Sequence, residues 1–266
     1  MSAGEYARLL EPLARLAATA GQRILATAPR DLDVRPKADR SPVTIADEAS
    51  EAILHEGLAR ILPGVPVIAE ESVAAGDRPE PGREFLLVDP LDGTREFLDG
   101  RPEYAVNIAL VSNGVPVIGL IYAPAQGILY AGGGSEAVRA SIPPGGELDR
   151  AKAATICARP RPNSLVVAVS RSHPDPATEK FVASLTVERR LIMGSSLKFA
   201  AIAEGAADVY PRFAPISEWD VAAGHALVAA AGGSMKTPDG NAITYGARAR
   251  HFRLDGFIAW GGPPAG

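Results

Sequence analysis

Apolar residues recur every three or four positions from Tyr6 to Ile24, through Leu9, Leu10, Leu13, Leu16, Ala17 and Ala20. That spacing lines one face of a helix, and Ala28-Pro29 closes it. Residues 30–44 are polar and contain Pro, which predicts a loop or irregular arm. Residues 47–62 read as a second helix carrying Ile53, Leu54, Leu58 and Ile61, stopped by Pro63-Gly64. The period then shortens. Apolar runs at 65–69, 85–88, 105–111, 115–122 and 128–131 are bounded by turn residues such as Asn113-Gly114 and Gly127. They predict a meandering antiparallel sheet.

Residues 141–163 are rich in Pro, Gly and charge, so a boundary is expected there, dividing the chain into 1–148 and 149–266. Beyond it, strands at 165–169, 191–193, 207–210 and 257–260 alternate with helices at 177–185, 196–204 and 221–231. Such alternation predicts an α/β half behind an antiparallel one, an α/β (α+β) fold overall.

Composition adds exclusions. The 266 residues are 47% hydrophobic and 22% charged, an ordinary globular balance. The net charge of −4, with no basic stripe, argues against nucleic-acid binding. A single cysteine, Cys157, allows no internal disulfide. No 18-residue apolar run predicts a membrane span. The first residues show no basic segment leading into an apolar one, and Ser2 stands where myristoylation needs glycine. A cytoplasmic protein is the expectation.

The chemistry concentrates in Asp89-Pro90-Leu91-Asp92-Gly93-Thr94, directly after a buried strand. A tight turn there aims two carboxylates and the Leu91 carbonyl at one point. Oxygen-only ligands suit a hard cation, Mg²⁺ above all. Two other element ends carry acids: Glu70-Glu71 after a strand, and Asp220 at the start of an Ala/Gly-rich helix. Read alone, Asp220 is a helix N-cap, Glu70-Glu71 a solvated loop and Asp47 a cap of the second helix. Read together, they are acids that repel unless cations neutralise them. Paired divalent ions are a recurring solution for phosphate ester hydrolysis.

These segments, in this order after Ser41-Pro42-Val43-Thr44-Ile45-Ala46-Asp47, resemble the inositol monophosphatase superfamily of lithium-sensitive, Mg²⁺-dependent phosphatases. The resemblance implies a layered αβαβα sandwich. It implies that Glu70, Asp89 and the Leu91 carbonyl hold one ion and Asp89, Asp92 and Asp220 a second, with Glu70 contacting a third, weaker one. Thr94 and Asp47 would orient and deprotonate the attacking water. Backbone N–H groups of Gly93 and Thr94 would bind phosphate oxygens, and Lys37 would stand near the site. The family includes monomers and homodimers.

Substrate choice falls to the second half: Ser170-Arg171-Ser172-His173, Gly194-Ser195-Ser196-Leu197-Lys198 and Tyr210-Pro211-Arg212-Phe213. A guanidinium pairs with an anion, often through two bonds. The chain is most similar here to the CysQ-type 3'(2'),5'-bisphosphate nucleotidase branch, which acts on small phosphorylated molecules. That resemblance implies that Ser195, Lys198 and Arg212 hold a retained 5'-phosphate and that His173 borders the nucleoside. Lys198 as an exposed helix residue and Arg171 as a surface charge are the competing readings. Inositol monophosphatase or fructose bisphosphatase activity, or a non-catalytic nucleotide sensor, are the alternative functions. The site is expected in the cleft between the halves. Gly132-Gly133-Gly134 lacks the Lys-Ser/Thr of a nucleotide loop, the four His residues lack zinc spacing, and Ser72 and Ser170 sit in no nucleophile elbow.

Overall fold

The structure, a computed structural model, describes residues 3–27, 33–36 and 42–263. Lys37 and the motif residues up to Ser41 lie outside the described residues.

The first sheet has seven strands in the order Val67–Ala69, Glu84–Asp92, Ala105–Ser112, Val115–Ala123, Ile128–Gly133, Glu136–Ser141 and Ala154–Thr155. It is not wholly antiparallel. Val67–Ala69 runs parallel to Glu84–Asp92, Val67 facing Leu86 and Ala69 facing Val88. The connection between them includes the short helix Glu70–Ala74, long enough to return the chain to the same end. The last strand, Ala154–Thr155, pairs with Glu136–Ser141. The chain therefore stays with the first sheet past residue 148.

The second sheet has five strands in the order Val187–Met193, Leu165–Ser170, Val209–Arg212, Phe257–Trp260 and Ser234–Lys236. Its first two pairings are parallel and the others antiparallel.

Alternation along the central strands explains the layering. Leu86, Val88, Val106 and Ile108 pack under the helices Ala3–Ala26 and Ile45–Ile61. Phe85, Leu87, Ala105 and Ala109 face the other way. They meet the helices Leu197–Ala203 and Ala222–Ala230, which also cover Val166, Ala168 and Phe257 of the second sheet. On the far face of that sheet, Val167, Val169 and Val209 pack with Val182 and Phe181 of the helix Pro176–Ala183. The result is an αβαβα sandwich. Helix Ala222–Ala230 reaches the first sheet closely because residue 119 is Gly: a Cβ there would stand 2.1 Å from the Ala223 carbonyl oxygen. Among the described residues, no helix is long and apolar enough to cross a membrane.

Candidate active site

The strand Glu84–Asp92 loses its regular ladder where the chemistry begins. Asp89 faces Asn107, the next pair is Asp92 with Ala105, and the register shifts between them. Pro90 brings no N–H to that bulge, and the Leu91 N–H turns back to the Asp89 Oδ1 at 3.0 Å. Gly93 follows with φ of 95°, a left-handed conformation that β-carbon-bearing residues resist. A Cβ there would also come within 3.1 Å of the Glu103 carbonyl oxygen. Thr94 then opens the helix Thr94–Leu98. Its hydroxyl stands 3.1 Å from Asp47 Oδ1 and 3.2 Å from the Leu91 carbonyl oxygen.

Asp47 is buried and is not the cap of its helix. Thr44 is the cap, and Asp47 is the third helical residue of a capping box. Its Oδ2 accepts from the Thr44 N–H at 2.8 Å and the Thr44 hydroxyl at 2.6 Å, which leaves Oδ1 turned to Thr94.

The parallel pairing of Val67–Ala69 carries Glu70 alongside Asp89. Glu70 starts a helix rather than a solvated loop. Asp220 ends the short 3₁₀ turn Glu218–Asp220, and the following helix carries Val221, not Asp220, at its N-cap position. Carboxylate oxygens of Glu70, Asp89 and Asp220 all lie within 4.8 Å of one another. Asp92 stands beside this trio. Its Oδ2 accepts from the Ser196 N–H at 2.5 Å and from the Asn107 amide at 3.3 Å, while the Ser196 hydroxyl donates to the Asn107 carbonyl oxygen at 2.7 Å.

Burial, then the charges of Glu70 and Asp92, push the Asp220 carboxyl well above its usual range, with Arg212 opposing. Burial raises Asp92 too, opposed chiefly by Lys198. Acids converging in this way fit a hard cation: the donors are all oxygen, and a positive ion offsets the burial and the neighbouring charges that disfavour an ionised Asp220.

The opposite end of the same cavity, about 440 Å³ in volume, is cationic. Lys198 is buried, not exposed on its helix. Its Nζ donates to the Ser195 carbonyl oxygen at 2.6 Å and lies 5.2 Å from the Tyr210 ring centroid. Burial lowers its pKa to about 8, against the raising effect of Asp92. Ser195 adopts a left-handed φ of 49°. The Arg212 Nε is buried and has no hydrogen-bond partner among the described residues. His173 lines the same cavity, its pKa lowered by burial and then by Arg212.

Of the residues singled out from the sequence, Glu70, Asp89, Leu91, Asp92, Gly93, Thr94, His173, Ser195, Lys198, Arg212 and Asp220 all line this cavity, and Asp47 stands behind Thr94. Arg171 instead pairs with Glu103 through several bonds of 2.8–3.0 Å. Sequence reasoning missed Glu96, a buried acid on the helix Thr94–Leu98 whose carboxylate accepts from the Ser172 hydroxyl, and it missed Asn107. The strand position of Asn107, opposite Asp89, was the available signal for it.

An αβαβα sandwich with an acidic trio at the end of one sheet and cations across the cavity is the architecture of the inositol monophosphatase family. The chain belongs to that family, whose model matches residues 5–255. Among its relatives is the 3'(2'),5'-bisphosphate nucleotidase CysQ of Escherichia coli, 37% identical over 239 residues, 89% of this chain and 94% of the relative. A histidinol-phosphatase of Mycobacterium tuberculosis is 33% identical over 220 residues, 82% of this chain and 83% of the relative. Among solved structures, CysQ from Bacteroides thetaiotaomicron superposes with a TM-score of 0.75 at 35% identity, covering 94% of this chain and 96% of that one.

Proposed function

We propose that this chain is a Mg²⁺-dependent phosphomonoesterase that removes the 3'-phosphate of 3'-phosphoadenosine 5'-phosphate, giving AMP and phosphate. One observation carries the choice: a single cavity joins the acidic trio to a guanidinium whose buried Nε has no hydrogen-bond partner among the described residues. A substrate with one phosphate to lose and another to keep matches both ends. The names of the CysQ relatives support the same reading.

Glu70, Asp89 and the Leu91 carbonyl would hold one Mg²⁺, and Asp89, Asp92 and Asp220 a second, with Glu70 also serving a third. When bound, the ions supply Lewis acidity to the phosphoryl oxygens and neutralise the leaving oxygen. The protein's part is orientation and proton transfer. The Thr94 hydroxyl already donates toward Asp47 Oδ1 and the Leu91 carbonyl, so its oxygen is left to accept a hydrogen bond from the attacking water. As the water's proton passes to the Thr94 oxygen, the Thr94 hydroxyl proton passes to Asp47 Oδ1, whose carboxylate is held by Thr44. The Gly93 and Thr94 N–H groups take the phosphoryl oxygens. Ser195, Lys198 and Arg212 hold the retained 5'-phosphate, and His173 borders the nucleoside.

Phosphate release from 3'-phosphoadenosine 5'-phosphate, inositol 1-phosphate and histidinol phosphate, each with Mg²⁺, tests this. The bisphosphate is expected to turn over fastest. Faster release from inositol 1-phosphate or histidinol phosphate overturns the assignment, since neither carries a second phosphate for the cationic end.

A further inference from the structure

Three side chains on one face of the helix Ile45–Ile61 reach three separate segments of the site. Asp47 meets the Thr94 hydroxyl at 3.1 Å. Ser50 donates its hydroxyl to the Pro90 carbonyl oxygen at 2.9 Å, inside the Asp89–Asp92 bulge. Glu51 accepts the backbone N–H of Glu71 at 2.7 Å, the N–H of Ser72 at 2.8 Å and the Ser72 hydroxyl at 2.5 Å. Positions 47, 50 and 51 follow the three-and-four spacing of a helix face. Leu54 and Leu58 continue that face into the core.

Glu51 is the informative member. Its side chain is 7% exposed, yet both of its oxygens are engaged. A carboxylate so buried is tolerated when hydrogen bonds replace its water. The donors are the second and third residues of the helix Glu70–Ala74, immediately after Glu70. That helix has Ala69 at its cap position, with no side-chain cap of its own, and Val73 is its only buried residue among the described residues. A carboxylate from a distant helix therefore does the capping of the turn that begins at Glu70.

We infer that Glu51 is a positioning residue for Glu70, setting through the Glu71 and Ser72 amides where that carboxylate stands and so how tightly the acidic trio holds a divalent cation. The inference rests on the cation reading of the site. It separates two properties that a merely structural residue would move together, cation affinity and fold stability.

The test titrates Mn²⁺ alone into the full chain, following free Mn²⁺ by electron paramagnetic resonance, and records thermal unfolding with chelator present. Glu51→Gln replaces one acceptor oxygen by an NH₂ group. Glu51→Asp keeps the charge and withdraws it by one methylene. Both are expected to bind Mn²⁺ about 10- to 100-fold more weakly, the usual cost of losing a ligand's supporting partner. Their unfolding midpoints should stay within a few degrees of the parent. Leu54→Val, in the core of the same helix, should lower the midpoint while leaving Mn²⁺ affinity within twofold. If folded Glu51→Asp binds Mn²⁺ like the parent while Glu70→Gln binds weakly, the positioning role is overturned and the cation reading stands. If Glu70→Gln also binds like the parent, the cation reading fails and takes the inference with it. Should Glu51→Gln not fold, Glu51→Asp decides alone.

Discussion

Replacing Arg212 by Ala removes the guanidinium at the cationic end of the cavity. In the free protein its Nε is buried without a hydrogen-bond partner among the described residues, so much of its desolvation cost is met before any anion arrives. A charge-assisted, two-point contact to a phosphate then forms at full strength. Losing one such desolvated charge pair costs about 2–4 kcal/mol. In kcat/KM that is about a 30- to 900-fold loss, at 1.36 kcal/mol per tenfold. Part of it is recovered from Lys198, whose ammonium is disfavoured by Arg212 and gains charge once Arg212 is gone. The loss is therefore expected in the lower half of the range. The assay compares initial rates of phosphate release from 3'-phosphoadenosine 5'-phosphate and from adenosine 3'-phosphate, which keeps the scissile group and lacks the second phosphate. The monophosphate should lose less than threefold. Equal losses on both substrates would refute the reasoning, because Arg212 would then support the structure or the scissile phosphate rather than the retained one.

Asp89→Asn should lower turnover by at least about a thousandfold and weaken Mn²⁺ binding, since Asp89 would be shared by both cations; turnover within tenfold of the parent defeats the acidic-trio mechanism. Stability should fall with acid through His225, which burial holds at about pKa 4 beside the Tyr245 hydroxyl at 3.0 Å. The unfolded chain takes up the proton near pH 6.5 and the folded one only near pH 4, so this stabilisation is complete above pH 6.5 and lost on the way down. Urea unfolding at pH 7 and 4.5 should show up to about 2.5 kcal/mol more acid loss in the parent than in His225→Gln; identical losses count against it. Gly119→Ala sets a Cβ 2.1 Å from the Ala223 carbonyl oxygen and should cost about 3 kcal/mol in urea unfolding, and an unchanged midpoint would show that the helix yields there without cost.

The acidic residues were legible because their chemistry shows in residue type and spacing: Asp-Pro-x-Asp-Gly-Thr announces a turn that gathers oxygens, and Asp220 before an Ala/Gly-rich helix marks a third approach. The α/β half was legible from its strong apolar strands. What stayed hidden acts through the backbone or at edges. Glu51 accepts main-chain N–H groups of a distant segment and Asn107 bonds the side chains of Asp92 and Ser196, and no local pattern pairs them with those partners. The strand Val187–Met193 was foreseen only from 191 because Glu188, Arg189 and Arg190 are exposed on a sheet edge, where charge protects against pairing. Glu136–Ser141 was overlooked between Gly- and Pro-rich turns although Ala137, Val138 and Ala140 are buried. The parallel pairing of Val67–Ala69 depends on a five-residue helix too short to leave a periodic signal.

The helix Ala222–Ala230, gripped by a sheet on either side, has a mechanical corollary. It works as a rivet: one of its faces seats on the first layer and another on the second, so parting the layers would strip apolar surface from both. Asp220, at its head, is thereby gauged against both layers at once.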